Sequence, residues 1–255
     1  SMPGPDAKRL SAADRDRLAE LSGDSDADIR ALALATLHLA GGAEPPVRRA
    51  LARALTREGA HDFTLRSRWA VALGYMGDRY AEAGDFSAAR TTYGRALEVM
   101  PANARLLQSL GNAERSAGDY RAAITSYEGA LLQERRSALI MVNLGIALGA
   151  AGDSVRGEEM FRAATQADPG EPLGWFNLGN VALLKGDFAA AAKDFQRAVA
   201  IDGALAQAHF QLARIHLLRG DNRSALRELR QGMAVDSSDA AARAITRQLE
   251  VALKR

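Results

Sequence analysis

The sequence predicts an all-α protein built from stacked antiparallel helix pairs, and three observations carry that prediction. The dipeptide Gly-Asp recurs at Gly84-Asp85, Gly118-Asp119, Gly152-Asp153, Gly186-Asp187 and Gly220-Asp221, each pair 34 residues after the last. Small and large apolar residues repeat in the same register on either side of that dipeptide. A mixed, ordinary composition accompanies them: 255 residues, 47% hydrophobic, 25% charged and a formal charge of +2. A fixed period of this length marks a helical-hairpin array, in which each hairpin buries its apolar face against its neighbours.

The Gly-Asp dipeptide explains the hairpin. Glycine ends a helix by taking the left-handed conformation that residues with a Cβ resist, and the aspartate caps the helix that follows. With the repeats aligned from Ala70, Ala104, Ala138, Pro172 and Ala206, the seventh place of the first helix holds Met76, Leu110, Leu144, Leu178 and Leu212. The eighth is small: Gly77, Gly111, Gly145, Gly179 and Ala213. The second helix carries small residues at Ala89, Ala123, Gly157, Ala191 and Ala225, followed four places on by Tyr93, Tyr127, Phe161, Phe195 and Leu229. Small against small lets two backbones approach, and the large residue fills the space beside them. Pro101 and Pro169 end the second helix in two repeats, while Arg135, Gly203 and Ser237 hold that place in the others. Gly157 and Gly232 stand where alanine recurs elsewhere, which predicts looser third and fifth repeats.

On these residues the chain resembles the tetratricopeptide repeat family over about 70–239, most closely in WFNLGNVALLKGDFAAAAKDFQRAVAID of the fourth copy. The resemblance implies a right-handed superhelical solenoid with a concave, peptide-binding surface. Residues 240–255 read as a C-terminal capping helix, with Ala242, Ile245, Leu249 and Leu253 on its inner face. Residues 1–69 lack the 34-residue pattern but read helical. Their Asp-x-x-aliphatic-Arg phrases, at Asp26–Arg30 and Asp62–Arg66, resemble HEAT-type repeats, and the helix starting near Phe63 is expected to run on through Trp69 into the first repeat. Helices of this kind ahead of such repeats also resemble part of some bacterial multihaem cytochromes, although no haem-attachment motif is present.

Composition narrows the functions. Basic residues are scattered among acids, so nucleic acid is not an expected partner. The absence of cysteine removes disulfides and thiolate metal sites. No apolar run approaches the roughly 20 residues of a membrane span, and the chain reads as soluble, cytoplasmic or periplasmic if an export segment was removed. Candidate chemistry dissolves on inspection. Asp24, Asp26 and Asp28 begin like a calcium loop, but Ile29 takes the turn-glycine place and Ala35 the closing-glutamate place. His209 and His216 lie seven apart without a third ligand. Gly145, Gly149 and Gly152 follow no strand, and no phosphate loop, nucleophile elbow or HExxH motif occurs. Catalysis, cofactors and metals are therefore not expected.

What remains is a helix face. At 100° per residue, the second, fifth, sixth, ninth and thirteenth places of the first helix point away from the hairpin seam. They read Arg105, Gln108 and Asn112 in the second repeat, and Leu139, Val142, Asn143 and Ile146 in the third. The fourth adds Leu173, Phe176, Asn177, Asn180 and Leu184; the fifth adds Gln207, Phe210, Gln211, Arg214 and Leu218. Apolar side chains on a face not needed for the hairpin, with amides between them, suit an extended peptide, because an amide offers both a donor and an acceptor to main chain. Asn143, Asn177 and Gln211 form the expected amide ladder, Phe176 a pocket wall, and Arg105 with Arg115 a positive end. The family's terminal-carboxylate clamp needs cations where Gln108, Val142, Leu173 and Phe176 stand, so that ligand is not expected. The predicted function is a non-enzymatic scaffold for a protein or peptide partner. Its alternatives are self-assembly into a homo-oligomer and substrate positioning within a larger enzyme or multihaem protein.

Overall fold

The computed structural model describes residues 63–253, which form helices and no strand. Two compact units divide the chain after Gln133. In the first, α1 (Phe63–Glu82) pairs with α2 (Phe86–Val99) and α3 (Ala104–Ser116) with α4 (Tyr120–Gln133), while α2 packs on α3. The second holds α5 (Ala138–Ala150), α6 (Ser154–Ala167), α7 (Pro172–Leu184), α8 (Phe188–Ile201), α9 (Ala206–Leu218), α10 (Asn222–Val235) and α11 (Ala240–Ala252). Its hairpins are α5–α6, α7–α8 and α9–α10, joined by packing of α6 on α7, α8 on α9 and α10 on α11. As expected, α1 runs unbroken through residue 69 into the first repeat. The HEAT-like phrase at Asp26–Arg30, and the second phrase before Phe63, lie outside the described residues.

Each turn behaves as its two residues dictate. Gly84, Gly118, Gly152, Gly186 and Gly220 all adopt φ between 74° and 94°, the region L side chains avoid. The aspartate that follows donates its own N–H back to the preceding helix, as from Asp85 to the Tyr80 carbonyl at 2.9 Å. Its carboxylate then accepts from the N–H three residues on: Ala88, Ala122, Arg156, Ala190 and Ser224 are the donors. One dipeptide thus closes one helix and opens the next.

Between paired helices the spacing is set by ring on glycine. A Cβ added to Gly77, Gly111, Gly145 or Gly179 would stand 2.5–2.7 Å from the ring of Tyr93, Tyr127, Phe161 or Phe195, closer than side chains approach. The third repeat is not the looser one its Gly157 suggested. A Cβ there would meet the Gly145 carbonyl oxygen at 2.9 Å, so the glycine permits a close backbone approach. The fifth repeat corrects the expectation in another way. Ala213 and Leu229 replace the glycine and ring, and Phe210 of α9 instead lays its ring on Gly232 of α10, where a Cβ would come within 2.4 Å.

The C-terminal helix buries Ala242, Thr246 and Leu249, with Ile245 half-buried. Leu253, expected on that inner face, is the residue after the helix and is 40% exposed. Thr246 takes the adjoining buried place, and Arg230 of α10 pairs with Glu250 at 2.7 Å across the outer edge.

Polar burial is uneven. Glu114 is 6% exposed and accepts a 2.7 Å hydrogen bond from the Ser126 hydroxyl. Burial raises its carboxyl above the ordinary range, and the Ser126 bond and the Arg90 charge offset that only in part. A carboxyl whose folded-state affinity for its proton is raised contributes most favourably below its unfolded pKa, and that contribution is lost as pH rises through the folded value. Glu114→Gln, which keeps an acceptor for Ser126, is expected to raise the melting temperature at neutral pH, with the gap to the native chain closing in thermal melts below the ordinary carboxyl value of 4.5.

The glycine contacts give a paired prediction. Gly179→Ala overpacks against Phe195 and is expected to cost about 1–3 kcal/mol. Gly94→Ala, whose added Cβ meets nothing within 4 Å, is expected to stabilise α2 by about 0.5–1 kcal/mol. Urea titrations of the two variants read the opposite signs.

Candidate functional site

The candidate site is the face of the first helices, and each unit presents its own part of it. In the second unit, α5, α7 and α9 carry the expected residues. Leu139 is 44% exposed, Leu184 90% and Leu218 61%, which leaves a leucine open to solvent on each of the three helices. Asn143, Ile146, Leu173, Asn180 and Gln211 are half-buried, and Arg214 is exposed.

Four residues of the set have other engagements. Val142 is wholly buried, so its side chain is core. Phe176 is half-buried with its ring 5.6 Å from that of Phe195, tilted by 54°, which makes it part of the α7–α8 seam as well as a surface. Phe210 packs with Ala213, Leu226 and Leu229 and covers Gly232. Asn177 donates one N–H of Nδ2 to the Leu173 carbonyl of its own helix at 2.8 Å, which leaves its second N–H and its Oδ1 uncommitted among the described residues. Trp175 of the same motif turns the other way, and its indole N–H donates to the Pro169 carbonyl at 3.0 Å.

The ninth place shows how these amides are committed. Tyr93 donates its phenol to Asp78 at 2.6 Å and Tyr127 donates to Asn112 at 2.7 Å, so the first two repeats tie that place to the second helix. Burial raises both phenols above their ordinary range, Tyr93 further with the Asp78 carboxylate as its acceptor. In the third and fourth repeats the ring is phenylalanine. Ile146 then needs no partner, and the Asn180 amide makes no hydrogen bond among the described residues.

In the first unit, α1 and α3 form a small cleft, with about 340 Å³ of space including its open mouth. Val71, Tyr75, Asp78, Arg105, Leu106 and Ser109 line it. Arg105 lies over the Tyr75 ring at 5.7 Å from its centroid and 3.7 Å from the Asp78 carboxylate. Asn112 is held by Tyr127, and the Nε of Arg115 is buried without a hydrogen-bond partner. Sequence reasoning missed Val71, Tyr75 and Asp78. The signal was present, since they occupy the second, sixth and ninth places of the first repeat, the places read in every other one.

The two histidines have local partners. His209 is buried, with Nδ1 2.9 Å from Glu228 and Nε2 3.2 Å from the Gly203 carbonyl; His216 faces Asp221 at 3.5 Å. No group of three or more metal-ligating residue types gathers among the described residues, and no described helix is long and apolar enough to cross a membrane.

Hairpins of fixed length, capped alike and stacked in sequence order, define a helical-repeat protein. The chain belongs to the tetratricopeptide repeat family: one profile of that repeat matches residues 76–139, 109–172 and 142–209, and a second matches 182–249. No curated protein is similar in sequence. Solved structures share the fold. PilF of Pseudomonas aeruginosa is 19% identical with a TM-score of 0.67, covering 74% of this chain and 86% of its own. PilW, a type IV pilus biogenesis factor, is 20% identical at 0.61, covering 72% and 86%. A chain of the APC/C hetero-tetramer Cut9-Hcn1 is 19% identical at 0.63, covering 95% of this chain and 53% of its own.

Phe210 and Gly232 supply a test of the fifth repeat's packing. Gly232→Ala alone drives a methyl into the ring, and Phe210→Leu alone leaves a void; each is expected to destabilise by about 1–3 kcal/mol. The double variant is expected to lose at least about 0.5 kcal/mol less than the sum of the two, read as a double-mutant cycle in urea.

Proposed function

We propose that the chain is a non-enzymatic scaffold that binds a peptide or helix of another protein along the α5, α7 and α9 face of its second unit. The carrying observation is the exposure of Leu139, Leu184 and Leu218 on helices whose hairpin contacts are already satisfied on the opposite side. Covering one such leucine contributes about 1.5–3 kcal/mol. Between them, Asn143, Asn180 and Gln211 are half-buried amides with no hydrogen bond among the described residues. An amide at the edge of an apolar strip meets the main chain of a ligand without requiring a particular side chain, and each satisfied bond adds about 1 kcal/mol. Asn177 fits this reading through Oδ1 and the second N–H of Nδ2, because its other N–H serves α7.

Membership of the repeat family supports a protein partner over a small molecule. The Cut9-Hcn1 hetero-tetramer contains a chain of this fold within an assembly of two different proteins. On the proposed face Phe176 acts as a rigid backing fixed by Phe195, and Arg214 as a charged margin at the α9 side.

A random peptide library displayed on phage tests the reading. Peptides selected on the whole chain are expected to bind at micromolar strength and to lose at least about ten-fold in affinity, 1.4 kcal/mol, when Asn143, Asn180 and Gln211 are all replaced by alanine. Equal affinity for both proteins refutes the assignment of this face.

A further inference from the structure

The geometry points to a second contact on the first unit: the α1–α3 cleft receives an acidic side chain of a partner peptide, with Arg105 as its anion contact and an adjacent apolar side chain against Val71 and Tyr75. This deepens the scaffold reading and rests on it, since the cleft occupies the corresponding face of the first two repeats.

Arg105 is held but not saturated. Its side chain is 72% exposed, its guanidinium lies over the Tyr75 ring at 5.7 Å, and its nearest carboxylate, Asp78, is 3.7 Å away, beyond hydrogen-bond reach. The aromatic face and the carboxylate therefore orient the guanidinium while leaving its N–H donors available. A planar guanidinium with free donors matches an incoming carboxylate in a two-bond arrangement.

A cation is the disfavoured occupant. Asp78 already accepts from the Tyr93 phenol at 2.6 Å through Oδ1 and faces Arg105 through Oδ2, so the chain's own groups occupy what a lysine or arginine would need. One face of the Tyr75 ring is likewise covered by Arg105, which leaves the rest of the ring for hydrocarbon.

The apolar share of the contact is also in place. Val71 is 48% and Tyr75 58% exposed, whereas Leu106 beneath them is 5% exposed. Gly74 keeps the cleft open between them: an added Cβ would stand 3.0 Å from the Leu106 side chain. Charge with hydrocarbon beside it selects acidic-apolar sequences over acidic ones alone.

The test uses the whole chain and two fluorescein-labelled octapeptides, one alternating Glu with Leu and one alternating Lys with Leu, read by fluorescence anisotropy. The Glu-Leu peptide is expected to bind about ten-fold tighter than the Lys-Leu peptide, and to weaken when salt rises from about 50 to about 300 mM. Arg105→Glu is expected to cut its affinity at least about ten-fold, Arg105→Lys by less, and Tyr75→Ala to weaken it in proportion to lost apolar contact. Arg227→Glu, at an exposed arginine of α10 outside both faces, is expected to leave it unchanged. Circular dichroism melts confirm folding of each variant. Equal binding of the two peptides, no binding of either, or an unchanged Glu-Leu affinity in Arg105→Glu overturns the assignment. Should that happen while library-selected peptides still depend on Asn143, Asn180 and Gln211, the cleft fails and the scaffold reading stands; loss of that dependence alone has the reverse meaning.

Discussion

The fit of one aromatic ring over one glycine governs this fold. In four hairpins the ring of Tyr93, Tyr127, Phe161 or Phe195 sits where a Cβ on the facing helix would be, and helix separation follows from that contact. Interiors packed to crystal-like density respond to a single methyl, so this position fixes the hairpin more firmly than any ion pair on its surface. Because the seam is satisfied on one side of each first helix, the opposite side is released from folding duty. That release leaves leucines in water at Leu139, Leu184 and Leu218.

The same ring decides how polar the open face is. A tyrosine reaches across to the ninth place and takes its hydrogen-bonding capacity, as at Asp78 and Asn112. Phenylalanine cannot, so the loss of one oxygen at residue 195 leaves the Asn180 amide unclaimed. Core composition and surface chemistry are linked through that single atom. Ion pairs act at the margins: Glu158, whose carboxyl is held below its ordinary range by Lys185 and Arg162, ties α6 to the end of α7.

Most of the fold was legible because its signals are local. Gly-Asp at a constant 34 residues encodes a left-handed turn and a cap that need no distant partner, and all five form. Face assignments were legible only in part. A helical wheel divides residues into seam and outside, yet Val142, assigned to the outside, is wholly buried, and the Phe210 ring lies in its own hairpin seam over Gly232. Asn177 was expected to present a whole amide, yet one of its N–H groups bonds one turn back along its own helix, a competition that sequence spacing does not reveal. Phe210 had a readable signature in Ala213, Leu229 and Gly232 changing together, but it occurs in one hairpin and so makes no pattern.

That exchange in the fifth hairpin bears on how such arrays diverge. The ring there belongs to the opposite helix from the ring in its neighbours, so the two helices form a matched pair rather than interchangeable parts. A recombination joining the α9 segment to an earlier second helix would set Phe210 against the alanine that stands there in the place of Gly232, such as Ala198, and Ala213 against a ring that elsewhere meets glycine. Exchange at a boundary between hairpins, such as the turn at Gly203, keeps each matched pair whole.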